Sequence, residues 1–329
     1  MDVQRTRIVF LIVLILFAIS FVPVELMAEK QSLKFTKHLV IGKNSGDNNF
    51  ILSAITDVDL DKEGNIYILD AMDFRIQKFD SHGTFLKSII LKRGQGPEEL
   101  SFNPILAVTP DGEFAILDMM ARKILIYNNT RTFMRYFKLE FQPIDLEFYA
   151  ENHLAILGLD NEKIIHIFDS EGQRIQSFGE PFSIPKKHSL YKDMPNLKLP
   201  KRLDSSQDGT LYVLNPHKYE ILVYTDGTLK QTILGKNELY RPTMITKTNI
   251  GGIGIVIPVM YALGWQNSLY VTIQGPGMDP ENQMEYFEGG KSLFSQILNG
   301  FPYAIDNKGR LYIVEADEFP VVVRYTIKK

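Results

Sequence analysis

Cysteine is absent from all 329 residues. This excludes disulfide staples, thiol nucleophiles, thiolate metal sites and a lipid-modified N-terminal cysteine. Tryptophan occurs once, as Trp265, before a turn, where a core role is expected. Histidine is scarce and scattered: His38, His82, His153, His166, His188 and His217. Only His188 and His217 are expected to reach the face that carries the long connections, and two histidines fall short of a three-ligand catalytic zinc site. An excess of charge is missing too, because 36 basic against 39 acidic residues leave a formal charge of −3. No nucleic-acid surface is expected from that balance. There is no HExxH, no GxSxG and no phosphate-cradling glycine loop. Gly251-Gly252-Ile253-Gly254 precedes a strand instead of opening a helix. No helical period is sustained, which excludes a coiled coil or helical solenoid.

Long hydrophobic runs are also lacking, with one exception at the start. Residues 8–24 are uncharged and apolar, Arg5 and Arg7 precede them, and Leu26-Met27-Ala28 offers a small-residue cleavage site. Residues 1–28 therefore read as a signal peptide, or as an uncleaved N-terminal anchor that would tether the protein to a membrane. Either reading places the rest of the chain outside the cytoplasm, in the periplasm or cell envelope, because the arginines stay inside.

What is abundant is one phrase. Residues 57–89 read DVDLDKEGNIYILDAMDFRIQKFDSHGTFLKSI, and versions return at 105–139, 145–179 and 202–235. Looser copies surround NSLYVTI at 267–273 and NKGRLYIVEADEFPVVVRYTI at 307–327. Each copy has a strand, a Gly/Asp turn such as Lys62-Glu63-Gly64-Asn65, two β-rich strands, a second turn such as Asp80-Ser81-His82-Gly83, and a fourth strand. Glycine beside Asn or Asp supplies the positive φ of hairpin turns. Four antiparallel strands repeated at roughly 40 residues spell a β-propeller blade.

Gly64, Asn65, Tyr67, Asp70, Arg75, Ile76 and Phe79 make residues 64–80 resemble an NHL repeat. Residues 93–100, RGQGPEEL, resemble the phrase that links blades in exported bacterial six-bladed propellers. The resemblance covers the first four copies well. It implies a structural ion pair or loop hydrogen bond within a blade, at Asp70 with Arg75 and at Asp118 with Arg122. Copy three has Gly158 at the Asp position, and copy four has Asn215 and Glu220. The resemblance also implies metal-dependent lyase or lactonase activity in some relatives.

The expected fold is all-β: a six-bladed propeller of four-stranded antiparallel blades over residues 29–329. The blades fall near 55–90, 105–139, 144–179, 202–235, 254–298 and 301–329, with an insertion at 274–283 in the fifth. The last copy holds three strands, and residues 33–41, LKFTKHLVI, are expected to supply its fourth and close the ring. Closure leaves no unpaired edge between the two chain ends.

Every long irregular segment, at 91–104, 180–201, 236–253 and 274–283, belongs to the connections of one face. One-sided elaboration marks a binding face for a protein, peptide or glycan. Aligning the innermost strands on their turns sets Asp57, Ile105, Asp145, Arg202, Met260 and Pro302 at one level. Asp59, Ala107, Glu147, Asp204, Ala262 and Ala304 follow two residues on. The candidate ligand residues are thus Asp57, Asp59, Asp145, Glu147, Arg202 and Asp204 at the channel, opening onto the long-loop face, with His188 and Tyr191 on a lysine-rich loop. Converging carboxylates bind Ca²⁺ or another divalent metal through oxygen, and Asp57, Asp145 and Asp204 are the candidate ligands. The favoured reading is a hydrated channel whose acids meet only water and Arg202, with the metal site as the alternative. A non-catalytic binding propeller is the leading expectation, and a metal-dependent lyase or lactonase-like hydrolase is the alternative.

Overall fold

A computed structural model describes residues 32–102, 104–150, 153–206, 208–236, 240–247, 253–256, 260–274, 282–316 and 318–328. The leader and most of the insertion at 274–283 lie outside the described residues. Among the described residues no helix is long and apolar enough to cross a membrane.

The Gly/Asp turns act as read from the sequence. In the first blade Gly64 has φ 77° and Gly83 φ 83°, a region costly for other residues. Asp61 and Asp80 fold those turns by accepting backbone N–H groups from Asn65, and from His82 and Thr84. The hairpins they close build Ile55–Leu60, Ile66–Asp70, Arg75–Phe79 and Phe85–Ile90 into one antiparallel sheet. Blade two is Ile105–Val108, Phe114–Asp118, Lys123–Tyr127 and Phe133–Lys138. Blade three is Pro143–Tyr149, His153–Asp160, Lys163–Phe168 and Arg174–Phe178. Blade four is Leu203–Ser205, Leu211–Leu214, Glu220–Thr225 and Thr228–Leu234. Blade five is Met260–Trp265, Ser268–Gln274, Asn282–Glu288 and Lys291–Leu298. Blade six takes Phe301–Ile305, Arg310–Ala316 and Pro320–Lys328 from the C-terminal end, and Lys34–Ile41 completes it. Ile41 pairs with Val322 and Lys34 with Lys328, so the N-terminal strand does close the ring.

Blade five begins later than its sequence suggests. Residues 253–256 do not enter it, but pair with Met244–Lys247 as a separate hairpin in the link from blade four.

The second and third strands are buried on both sides, and their apolar side chains form six clusters, one at each junction between neighbouring blades. The junction of blades one and two holds Tyr67, Leu69, Ile116 and Tyr127. The ring-closing junction holds Ile41, Tyr312 and Val322 against Ile66 and Phe79. Burying a side chain of this size contributes about 1.5–3 kcal/mol, so the propeller coheres sideways, blade on blade, without covalent staples.

The repeat's Asp…Arg pair survives only in part. Asp70 Oδ2 lies 3.3 Å from Arg75 Nη2. In blade two the register sets Lys123, not Arg122, opposite Asp118. Asp118 accepts from Ser101 and Ala121 N–H, and Lys123 donates to Gly96 and Glu99 carbonyls. Of the two expected roles Asp118 takes the loop hydrogen bond; no ion pair with Arg122 occurs among the described residues, where the shortened loop sets Arg122 at φ 50° outside the strand. In blade four Asn215 donates to Glu220 at 3.0 Å, so a neutral-to-ionic hydrogen bond replaces the ion pair.

Candidate functional site

The innermost strands line the central channel, and their register corrects the sequence alignment in two blades. Tyr261 lies opposite Thr272 and Leu263 opposite Tyr270, so Tyr261 and Leu263 take the two channel levels assigned to Met260 and Ala262. Blade six has a bulge between Pro302 and Ala304, which places Phe301 at the upper level and inserts Tyr303. The upper level is therefore Asp57, Ile105, Asp145, Arg202, Tyr261 and Phe301. The lower holds Asp59, Ala107, Glu147, Asp204, Leu263 and Ala304.

A cavity of about 390 Å³ fills the channel, and Asp57, Asp59, Glu147, Arg202 and Asp204 are among its walls. Asp145 is 2% exposed and lies behind this surface. The cavity extends toward the first-to-second turns, where Lys62, Pro110, Ala150, Gly209 and Asn307 line it. It thus runs to the short-turn face, not to the long-loop face expected from the sequence. At the other end the Arg202 guanidinium lies 4.7 Å from the Tyr261 ring centre and 5.5 Å from that of Tyr303. Tyr261 also packs on Tyr303 and Phe301. Sequence reasoning missed these aromatics because a two-residue turn in one blade and a bulge in the next each displace the count by one.

The carboxylates turn sideways. Leu106 N–H donates to Asp57 at 3.1 Å and Val108 N–H to Asp59 at 2.6 Å, both from blade two to blade one. Leu203 N–H donates to Asp145 at 2.9 Å, and the Ser205 hydroxyl reaches Glu147 at 3.3 Å, from blade four to blade three. Ala262 N–H donates to Asp204 at 3.2 Å, from blade five to blade four. An innermost strand has no fifth strand inside it, so its inward N–H groups need acceptors. In blades two, four and five the preceding blade supplies acceptors. These oxygens of Asp57, Asp145 and Asp204, the candidate metal ligands, face their neighbouring blades. Among the described residues no group of three or more Asp, Glu or His is placed to hold a metal ion.

Crowding acids in a buried channel has an electrostatic cost. Burial pushes Asp59 up to about 7, with Asp57 and Asp61 adding repulsion. Burial raises Asp204 to about 7 and Asp145 to about 6, against the pull of Arg202 in both. Asp57 and Glu147 are raised for the same first cause. Burial opposes the charge on Arg202, but Asp145, Asp57 and Asp204 outweigh it and hold the guanidinium well above its ordinary value. Arg202 Nε is 3.8 Å from Asp204 Oδ1, an ion pair without a hydrogen bond at that atom. The channel thus sets the Arg202 guanidinium among acids whose pKa values burial raises.

His188 and Tyr191 lie elsewhere. His188 is 8% exposed and its Nε2 donates to the Thr243 carbonyl at 3.1 Å. His217 Nε2 donates to the Leu197 carbonyl at 2.7 Å, and burial lowers its pKa. Thr243 in turn donates to the Pro216 carbonyl through both N–H and hydroxyl. The two histidines pin the loop at 180–201 to blade four and its outgoing link; as a ligand candidate His188 is corrected to an internal fastener. Trp265 packs its ring on blade six, where a Cβ at Gly309 would come within 2.8 Å of it.

The comparisons agree with this geometry. A family profile, DUF5128, described as a 6-bladed beta-propeller, matches residues 46–233. The chain belongs to this family. The match ends with the fourth blade, where the sequence copies also loosen. No curated protein matches the chain. Among solved structures, a Bacteroides fragilis protein named as exported has a TM-score of 0.60 at 13% identity, covering 91% of this chain and 95% of that one. A Bacteroides vulgatus member of the duf4221 family has a TM-score of 0.59 at 10% identity, covering 92% and 100%. Catalytically inactive virginiamycin B lyase of Staphylococcus aureus has a TM-score of 0.50 at 13% identity, covering 90% and 99%. Identities this low show a shared fold alone.

Proposed function

We propose that this protein is an exported, non-catalytic propeller that binds a protein, peptide or glycan partner on its long-loop face. The observation that carries the reading is the distribution of exposed apolar side chains. Among the described residues the five most exposed large hydrophobics are Leu190, Met120, Phe102, Ile90 and Met72, at 91, 73, 71, 70 and 66%. Met72 and Met120 sit in second-to-third loops, Phe102 and Leu190 in links between blades, and Ile90 ends an outermost strand. All five positions belong to the long-loop end. Apolar side chains gathered at one end of a soluble fold favour an interaction surface, and methionine adapts to varied partners.

The channel acids support the non-catalytic part, because their oxygens are engaged between blades. Export is supported by the charged and apolar pattern of residues 1–28 and by the fold shared with a protein named as exported. The NHL-like phrase at 64–80 fits the same reading, as a scaffold motif. The test places a photo-crosslinking residue at 102, at 120 and, on the short-turn face, at 170 in cells that make the protein. Adducts at 102 and 120 but not at 170 are expected. Adducts confined to 170, or absent at all three, overturn the proposal.

A further inference from the structure

The loop at 180–201 carries five lysines, Lys186, Lys187, Lys192, Lys198 and Lys201, against two acids, Glu180 and Asp193, in a chain whose formal charge is −3. Glu180 is already taken by Lys163 of blade three. None of the five lysines has an ion-pair partner among the described residues. Lys186, Lys187 and Lys192 are exposed, and between them stands Leu190, the most exposed large hydrophobic side chain described, at 91%.

This apex is held firmly. Lys186–Tyr191 forms a 3₁₀ turn, and Pro195–Leu197 forms a second. His188, in the middle of the first, is buried and fastened to Thr243, while Leu197, beneath, receives the His217 bond. Phe182 N–H donates to the Lys198 carbonyl at 3.0 Å and closes the base. Four prolines, Pro181, Pro185, Pro195 and Pro200, reduce the freedom of the chain between these points. A solvated loop needs none of these fasteners.

Resting on the long-loop binding face described above, we propose that the apex at 186–192 is the docking element, and that its partner is an acidic protein segment presenting an apolar side chain to Leu190. Charge complementarity chooses the acidic partner: unpaired lysines flank the apolar contact as a rim flanks an interface core. Rigidity chooses a protein over an anionic bilayer. Basic segments bind fluid headgroups without any fixed geometry, whereas a fixed 3₁₀ turn with charges on both sides of one leucine suits a partner whose carboxylates are also fixed. Holding the turn in place before binding lowers the ordering cost of association.

The test uses the propeller with its loop intact and synthetic 15-residue peptides, each with one central Leu or Phe flanked by Asp and Glu. Peptides with Lys in place of the acids serve as the charge-reversed set. Vesicles of phosphatidylglycerol and of phosphatidylcholine form a separate arm. Acidic peptides are expected to bind, and charge-reversed ones not. Combined Lys186→Glu, Lys187→Glu and Lys192→Glu should weaken acidic-peptide binding roughly tenfold or more. Leu190→Ser should weaken it several-fold at unchanged melting temperature. Equal binding of both peptide sets, or binding to phosphatidylglycerol vesicles and to no peptide, overturns the proposal. Crosslinking from position 190 separates this proposal from the broader one. Adducts at 102 and 120 without any at 190 overturn the apex and keep the face; no adducts at any of the three overturn both.

Discussion

Two kinds of blade junction occur in this ring. Between blades one and two, three and four, and four and five, a carboxylate of one innermost strand accepts an N–H from the next. At the other three junctions the preceding innermost strand offers Ile105 and Ala107, Tyr261 and Leu263, or Phe301 and Ala304, none with a side-chain carboxylate. All six junctions bury an apolar cluster, including the one closed by the N-terminal strand. The apolar clusters therefore suffice to hold neighbours together, and the acids add direction at three of them. The accumulation of acids at the channel follows from that local use. It resembles a ligand-binding constellation in sequence because both arrangements place carboxylates on inner strands.

The largest expected break in this comparison is Arg202→Met. It leaves Asp57, Asp145 and Asp204 without the one cation among them, and removing one partner of a buried charge group costs about 3–5 kcal/mol. Urea unfolding should show that loss; a change below 1 kcal/mol, taken as roughly the value of an exposed pair, would mean the acids do not depend on Arg202.

Asp57→Ala strips the acceptor from the buried Leu106 N–H and should cost about 1–3 kcal/mol. The clasped and unclasped junctions separate here, since Ile105→Val, on a strand without a carboxylate, trims one methyl from a half-buried side chain and should cost only about 0.5 kcal/mol. Equal losses from the two changes would contradict the clasp.

The pH dependence sharpens the same contrast. Asp59 and Asp204 have folded values of about 7 and Asp145 about 6, each above the ordinary 3.8. The folded state binds more protons than the unfolded one between these limits, so the stability from these groups is full below about 4 and is lost as pH rises toward 7. Melting temperature should fall between pH 5 and 7.5. Asp59→Asn with Asp204→Asn should flatten that fall; an unchanged slope would place the pH sensitivity elsewhere.

The smallest effect belongs to the long-loop end. His188→Ala removes one hydrogen bond to Thr243, worth about 0.5–1.5 kcal/mol, and should show as faster proteolytic nicking within residues 186–194 before any change in global melting. Unchanged nicking would remove His188 from its role as a fastener.

The fold was legible in detail for particular reasons. Turn glycines such as Gly64 and Gly83 sit where positive φ is required, and strand composition between them has little freedom. The short last copy needed a fourth strand, and only residues 33–41 offered one. The candidate site was legible in its residues but not in its use. Asp57, Asp59, Glu147, Arg202 and Asp204 do share one cavity. Their partners come from the neighbouring blade, 49 or 58 residues away, and no local pattern encodes that contact. Tyr261 and Tyr303 escaped notice because a turn of two residues and a bulge shift the count by one, which exchanges the two faces of a strand. His188 looked like a surface ligand because nothing in the loop at 180–201 reveals which of its residues face inward.

By itself the sequence determined the repeat, its turns, the closing strand and the end of the ring that carries the long connections. Those features depend on backbone conformation and on alternation along a strand, which neighbouring residues specify. Only the tertiary structure decided where the carboxylates point, which aromatics meet Arg202, which face the cavity reaches and which loop residues remain exposed. Those depend on distances between segments far apart in the chain, and such distances are set when apolar surfaces between blades pack, not by the residues on either side.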